Sequence, residues 1–264
     1  MSFPTIGTLD VWVYLQVLAR VSALIAIAPV FGAREVPAPV KVGLAVILSF
    51  VLAPIASPSL RAAGVPDSLY GIASPLVAHI VIGLLLGFVV SLIIMAVEMA
   101  GALIDTQVGF SMAQMFNPAI SELAGPFTQF QSMYALLLFL LAHGHYILIV
   151  ALARSFINLP ALAVDLNHAS YLNFVSDITF NTLVNGLKIA APPGAILLVV
   201  DFSFAMLARA VPQMNVFFVG MPLKALIGLM LIVVVLPLLA AMVGQMVSGL
   251  PFDLSRTMQG MHTP

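Results

Sequence analysis

Two stretches of this chain, Ser68–Val97 and Leu123–Ala153, contain no Asp, Glu, Lys or Arg. Each exceeds the roughly 20 apolar residues that carry a helix across a bilayer core. The composition points the same way. The chain is 62% hydrophobic and 7% charged, whereas an ordinary soluble domain carries about 25% charged residues. The expected fold class is an all-α integral membrane protein, read as a single unit over residues 1–264.

Six hydrophobic segments are predicted, near 9–31, 40–56, 72–97, 130–157, 178–211 and 222–247. Pro29 and Gly32 close the first, and the third is expected to continue as helix through Glu98 toward Asp105. Pro192 and Pro193 remove two backbone donors and crowd the preceding turn, so the fifth is expected to break there. A broken helix is tolerated in a membrane where its backbone meets protein or water. MSFPTIGTLD lacks a basic n-region and carries Asp10, so the first segment is expected to remain in the mature protein. Basic residues divide almost evenly between the two sets of loops and do not orient the chain.

Several function classes drop out. A net charge of −1 gives no electrostatic case for nucleic acid. The absence of cysteine removes disulfides and thiolate chemistry. His143 and His145 stand at i, i+2, on different helix faces, and His79 is isolated, so no metal site is expected. There is no nucleotide-binding fingerprint and no nucleophile–base arrangement. No cofactor and no enzymatic activity are expected.

The polar residues within apolar runs are the candidates for special roles, since a charge at mid-bilayer costs several kcal/mol. Glu98, Gly101 and Asp105, at i, i+3, i+7, share one helical face. They read as a polar stripe facing a bundle or lumen, or as residues near the headgroups. Arg20, with Gln16 on its face, needs a carboxylate, carbonyls or water. Glu98, Asp105 and Asp201 are possible carboxylate partners, and snorkelling to an interface is the alternative. Lys188, Asp201 and Arg209 flank the proline pair. They read as a structural ion pair or as a transporter-like solute site at a broken helix. Gly83 and Gly87 have the spacing of close helix contact. The methionines read as flexible gap fillers or as a soft seal.

Between the long runs lies Val108–Pro126, VGFSMAQMFNPAISELAGP, rich in Gly, Met and Pro. Such a segment between membrane-length helices is suited to line, plug or gate a passage. Its first part, Val108–Pro118, falls in one of four stretches that, in order, resemble the FliR family of the bacterial type III export apparatus. They are PVFGAREVPAPVKVGLAV at 29–46, EMAGALIDTQVGFSMAQMFNP at 98–118, LLFLLAHGHYILIVALARSFINLP at 137–160 and LARAVPQMNVFFVGMPLKALIGL at 207–229. Injectisome proteins of the SctT kind are close relatives of that family, and RAVPQMNVFFVGMPLK looks more like the flagellar branch.

The resemblance implies a non-enzymatic channel subunit in which long hydrophobic hairpins resemble a fusion of the FliP and FliQ folds. Its partners would be FliP-like and FliQ-like membrane subunits, with FlhB-like and FlhA-like export components nearby. Together they form a helical export gate for unfolded flagellar proteins, in the inner membrane at the flagellar basal body and projecting toward the periplasm. Not every hydrophobic segment need then span lipid. The family's plug maps onto about Gly109–Pro118, with Phe110, Met112, Met115 and Phe116 as bulky groups and Asn117–Pro118 at the return turn. Glu98 and Asp105 would anchor its approach or touch a neighbouring subunit. Arg209, Gln213, Asn215 and Lys224 would lie at subunit interfaces.

Overall fold

The structure, a computed structural model, describes residues 7–33, 36–62, 64–110, 125–159, 169–213 and 215–261, with the side chains of 169–172, 216 and 217 left aside. These residues form helices α1 (Thr8–Ile27), α2 (Ala38–Arg61), α3 (Leu69–Val108), α4 (Pro126–Leu141), α5 (Gly144–Asn158), α6 (Ala169–Ala210) and α7 (Val216–Gly260). Among the described residues five helices are long and apolar enough to cross a membrane, or six if the bent pair α4–α5 counts as one span.

The chain divides into two compact units. The first contains residues 1–92, 143–178 and 249–264, and the second contains 93–142 and 179–248. In the first, α1 packs against α2 and α2 against α5. Val13, Val17, Val21 and Leu24 form the buried stripe of α1, with Ile82, Leu86, Leu148 and Leu152 also in this unit's core. The predicted Gly83–Gly87 contact forms. A Cβ at Gly83 would collide with the Arg20 carbonyl, and one at Gly87 would sit 3.1 Å from the Leu24 carbonyl. The two glycines therefore let the α3 backbone lie directly against α1. In the second unit, Ile104, Val108, Phe127, Leu197 and Leu231 form one buried apolar cluster, edged by Phe110, Ala225, Ile227 and Ile232.

The helices outrun several expected segments, α6 starting at Ala169 rather than 178 and α7 spanning Val216–Gly260 rather than 222–247, and three differences have identifiable reasons. The segment expected at 130–157 is two helices. His143 takes a left-handed conformation (φ 59°) and its carbonyl starts α5 by accepting from Tyr146 and Ile147. Histidine tolerates this region better than most residues. The break expected at Pro192–Pro193 is absent, because α6 runs unbroken through both prolines. Proline costs an intrahelical bond, but helices in apolar surroundings absorb that loss by local adjustment. α2 likewise continues past Pro54 and Pro58 to Arg61. There Ser57 Oγ donates at 3.1 Å to the Pro54 carbonyl, which lost its helical donor to Pro58.

Candidate functional site

The polar residues singled out in the sequence sort into two buried nodes and a set of exposed groups. In the first unit, Arg20 is fully buried. Its Nε donates to His79 Nδ1 at 3.0 Å. One terminal nitrogen donates to the Ser155 carbonyl at 2.7 Å and to Ser155 Oγ at 3.0 Å, and the other to the Leu159 carbonyl at 2.9 Å. The guanidinium carbon lies 4.4 Å from the centroid of the Phe156 ring, a cation–π contact. Ser155 and Leu159 belong to the last turn and the C-cap of α5. A helix ends with orphan carbonyls and a partial negative charge. Arg20 is therefore a C-cap supplied by another helix, its planar fork matched to two carbonyls and a hydroxyl.

Neither a carboxylate pairing nor snorkelling describes Arg20. Its compensating charge is the carbonyl end of α5. His79 completes the node by logic of donors. Arginine only donates, so His79 Nδ1 must be the bare nitrogen, and Nε2 carries the proton and donates to Gln16 Oε1 at 3.1 Å. His79 is thereby the neutral tautomer, and no second cation is added.

In the second unit, Asp105 is 5% exposed. Its Oδ1 accepts from the Phe127 backbone N–H at 3.0 Å. Its Oδ2 accepts from the Thr128 N–H at 2.9 Å and from Thr128 Oγ1 at 2.6 Å. These are the second and third residues of α4, and the first, Pro126, has no N–H to satisfy. Asp105 thus performs from α3 the work of an N-cap, with its negative charge at the positive end of α4. Two glycines make room. A Cβ at Gly125 would collide with the Asp105 carboxylate, and one at Gly101 would come within 2.5 Å of Thr128 Cα.

Around Asp105 the chain leaves and returns. α3 ends at Val108, and the Gly109 and Phe110 N–H groups both donate to the Asp105 carbonyl, at 3.1 and 3.0 Å. Gly109 has φ 98°, the left-handed conformation that ends helices. The Phe110 ring lies 5.9 Å from that of Phe127. One residue therefore holds residues 109–110 with its carbonyl and residues 127–128 with its carboxylate. Gly109 and Phe110 of the predicted plug are at this base, while Met112, Met115, Phe116, Asn117 and Pro118 lie outside the described residues.

The other candidates stay apart. Glu98 is exposed and accepts from Ser132 Oγ at 3.4 Å. Lys224 pairs with Asp201 and donates to the Gln107 carbonyl at 3.4 Å, near the end of α3. The expected ion pair of Asp201 thus forms with α7 rather than with Lys188 or Arg209, which are both exposed. Gln213 and Asn215 are exposed as well. Among the described residues no group of three or more His, Cys, Asp or Glu is placed to hold a metal ion.

Sequence reasoning missed Ser155, Thr128 and Gly125 and read His79 only as isolated. Two signals pointed to the helix ends involved. Pro160 after Leu159 marks a helix end with free carbonyls, and Gly125–Pro126 marks a helix start with free N–H groups.

Residues 11–250 match the family model for bacterial export proteins, family 1. The chain belongs to that family. A flagellar biosynthetic protein FliR from Escherichia coli (strain K12) is 37% identical over 228 residues, covering 86% of this chain and 85% of its own length. The protein of the same name from Bacillus subtilis (strain 168) is 31% identical over 226 residues, 84% of this chain and 85% of its own. The Yop proteins translocation protein T of Yersinia pestis is 32% identical over 164 residues, 59% of this chain and 60% of its own. As a member of this FliR family the chain is a non-enzymatic membrane component of the type III export apparatus. Both buried nodes, at Arg20 and Asp105, lie within the matched residues.

Proposed function

We propose that this chain is a structural subunit of the flagellar export gate. It assembles with FliP-like and FliQ-like subunits into a helical channel for unfolded flagellar proteins, and its segment Gly109–Pro118 closes the lumen. The gate sits in the inner membrane at the flagellar basal body, projecting toward the periplasm, with FlhB-like and FlhA-like components beside it.

The observation that carries the plug reading is the double hold of Asp105. Its carbonyl receives the chain leaving α3, and its carboxylate receives the chain entering α4. A closing segment that must yield to cargo without unfolding its subunit needs a base of this kind. The energy difference between closed and open then resides in contacts of the segment itself, a few kcal/mol for a regulated equilibrium. The flagellar reading is favoured over the injectisome one by coverage, 86% of this chain for the flagellar relative from Escherichia coli against 59% for the Yersinia relative.

The test is deletion of Phe110–Phe116 in the assembled complex. The expected result is intact co-purification with the FliP-like and FliQ-like partners and a raised leak of small ions. An unchanged leak with assembly intact would move the plug elsewhere, and failure to co-purify in the wild type would remove the gate reading.

A further inference from the structure

Within the first unit, α1 and the second half of α2 enclose a cleft of about 610 Å³, a size typical of ligand sites. Its walls are Val11, Val13, Tyr14, Phe50, Ala53 and Pro54 with Ser57 among them, and Asp10 and Arg61 stand at one end. Asp10 is in the first turn of α1 and Arg61 in the last turn of α2, and the two form an ion pair. Their side chains are 41% and 57% exposed. We propose that this cleft binds one acyl chain of a zwitterionic glycerophospholipid, whose phosphoethanolamine headgroup lies across Arg61 and Asp10.

Depth comes first. Charged side chains avoid the hydrocarbon and mark its edge, so the Asp10–Arg61 end lies at the membrane interface. From Arg61 the cleft follows α2 back to Phe50, a helical rise of about 16 Å. One leaflet contributes about 15 Å of hydrocarbon. The α2 side of the cleft, from Arg61 past Ser57 to Phe50, is therefore about as long as one leaflet's hydrocarbon is thick, and Phe50, 75% exposed, stands at its inner end. Ala53, a small side chain, leaves the groove open between larger walls.

Charge selects the headgroup. A lone cation would favour any phosphate. Here a guanidinium and a carboxylate lie side by side, which matches a phosphate and an ammonium joined by a two-carbon link. The phosphate takes Arg61, whose fork suits phosphate oxygens, and the ammonium takes Asp10. A headgroup with a net negative charge would gain Arg61 but face the Asp10 carboxylate. The inference does not depend on the gate reading.

Native mass spectrometry of the full-length protein, alone and in its export complex, tests this with phosphatidylethanolamine or phosphatidylglycerol supplied from mixed micelles. The expected result is that phosphatidylethanolamine is retained about tenfold better, a difference of about 1.4 kcal/mol. Asp10→Asn keeps an oxygen that can accept from the Gly7 N–H at the start of α1 and should erase that preference. Arg61→Gln should weaken retention of both lipids, and Ala53→Phe should remove it by filling the groove. Asp10→Asn and Arg61→Gln change exposed side chains, so they decide the matter even where Ala53→Phe fails to fold. Equal retention of the two lipids by the wild type would overturn the proposal. So would undiminished retention in Arg61→Gln, or a photo-crosslinker at Phe50 that captures a partner polypeptide instead of lipid in the complex.

Discussion

The Arg20 node and the Asp105 node solve the same problem with opposite charges. Arg20 receives the carbonyl end of α5, and Asp105 receives the N–H end of α4. Each charge sits at the pole of the helix dipole that attracts it. Between them they secure the two outer ends of the bent pair α4–α5, each within its own compact unit. The nodes differ in how many elements they join. Arg20 ties α1 to α5 by its guanidinium and to α3 through His79, with Phe156 stacked over the charge. Among the described residues the Asp105 carboxylate ties α3 to α4, and its bonds go to two consecutive residues. The first is a three-helix junction, and the second is a latch between two. Among the described residues, the two buried charges thus serve helix ends rather than other charges.

The widest separation between the two nodes should come from removing the cation. Arg20→Leu leaves two carbonyls and the Ser155 hydroxyl without their donor in a dry core, at a cost of about 3–5 kcal/mol, read from denaturant unfolding in detergent. Arg20→Lys keeps the charge but loses the fork and should recover only part of it. Full recovery would mean that charge alone, not geometry, holds the junction. Asp105→Ala should cost less, about 2–3 kcal/mol, in the same measurement. Asp105→Asn should fall between, because one oxygen must now serve donors that two served before. If the aspartate change proves costlier than the arginine one, the ranking of junction over latch is wrong. Gly125→Ala would press a methyl group into the Asp105 carboxylate and should cost about 1–3 kcal/mol, seen as a lowered thermal midpoint. At the small end, Glu98→Ala removes only an exposed carboxylate with a long bond to Ser132. It should change stability by less than about 0.5 kcal/mol, so any larger loss confined to the assembled complex would assign Glu98 to a subunit contact.

The helices were legible because lipid-length apolar runs leave the backbone little choice. Asp105 was legible for the same reason, as a carboxylate too deep in an apolar run to be idle. Its partner was not, since an N–H at the start of α4 has no side-chain signature beyond Gly125–Pro126. Arg20 shows the same limit from the other side. Its need for a buried partner could be read, but the search went to carboxylates, and the partner was a helix end 135 residues away. Proline misled in one place, because Pro192 and Pro193 weaken a helix locally while the rest of α6 outvotes them. Histidine misled in another, because the left-handed turn at His143 carries no proline to announce it.

That separation has a consequence for how the chain is made. Arg20 emerges from the ribosome long before Ser155 and Leu159, at about 5–20 residues per second, so its permanent partners arrive on the order of ten seconds later. During that interval α1 carries a cation it cannot bury. Until α5 is synthesised, the first hydrophobic segment carries the cost of an uncapped cation, several kcal/mol in lipid. Asp105 meets Phe127 and Thr128 after little more than twenty further residues, about a few seconds at most. The Asp105 latch is therefore expected to close during synthesis well before the Arg20 junction can be completed.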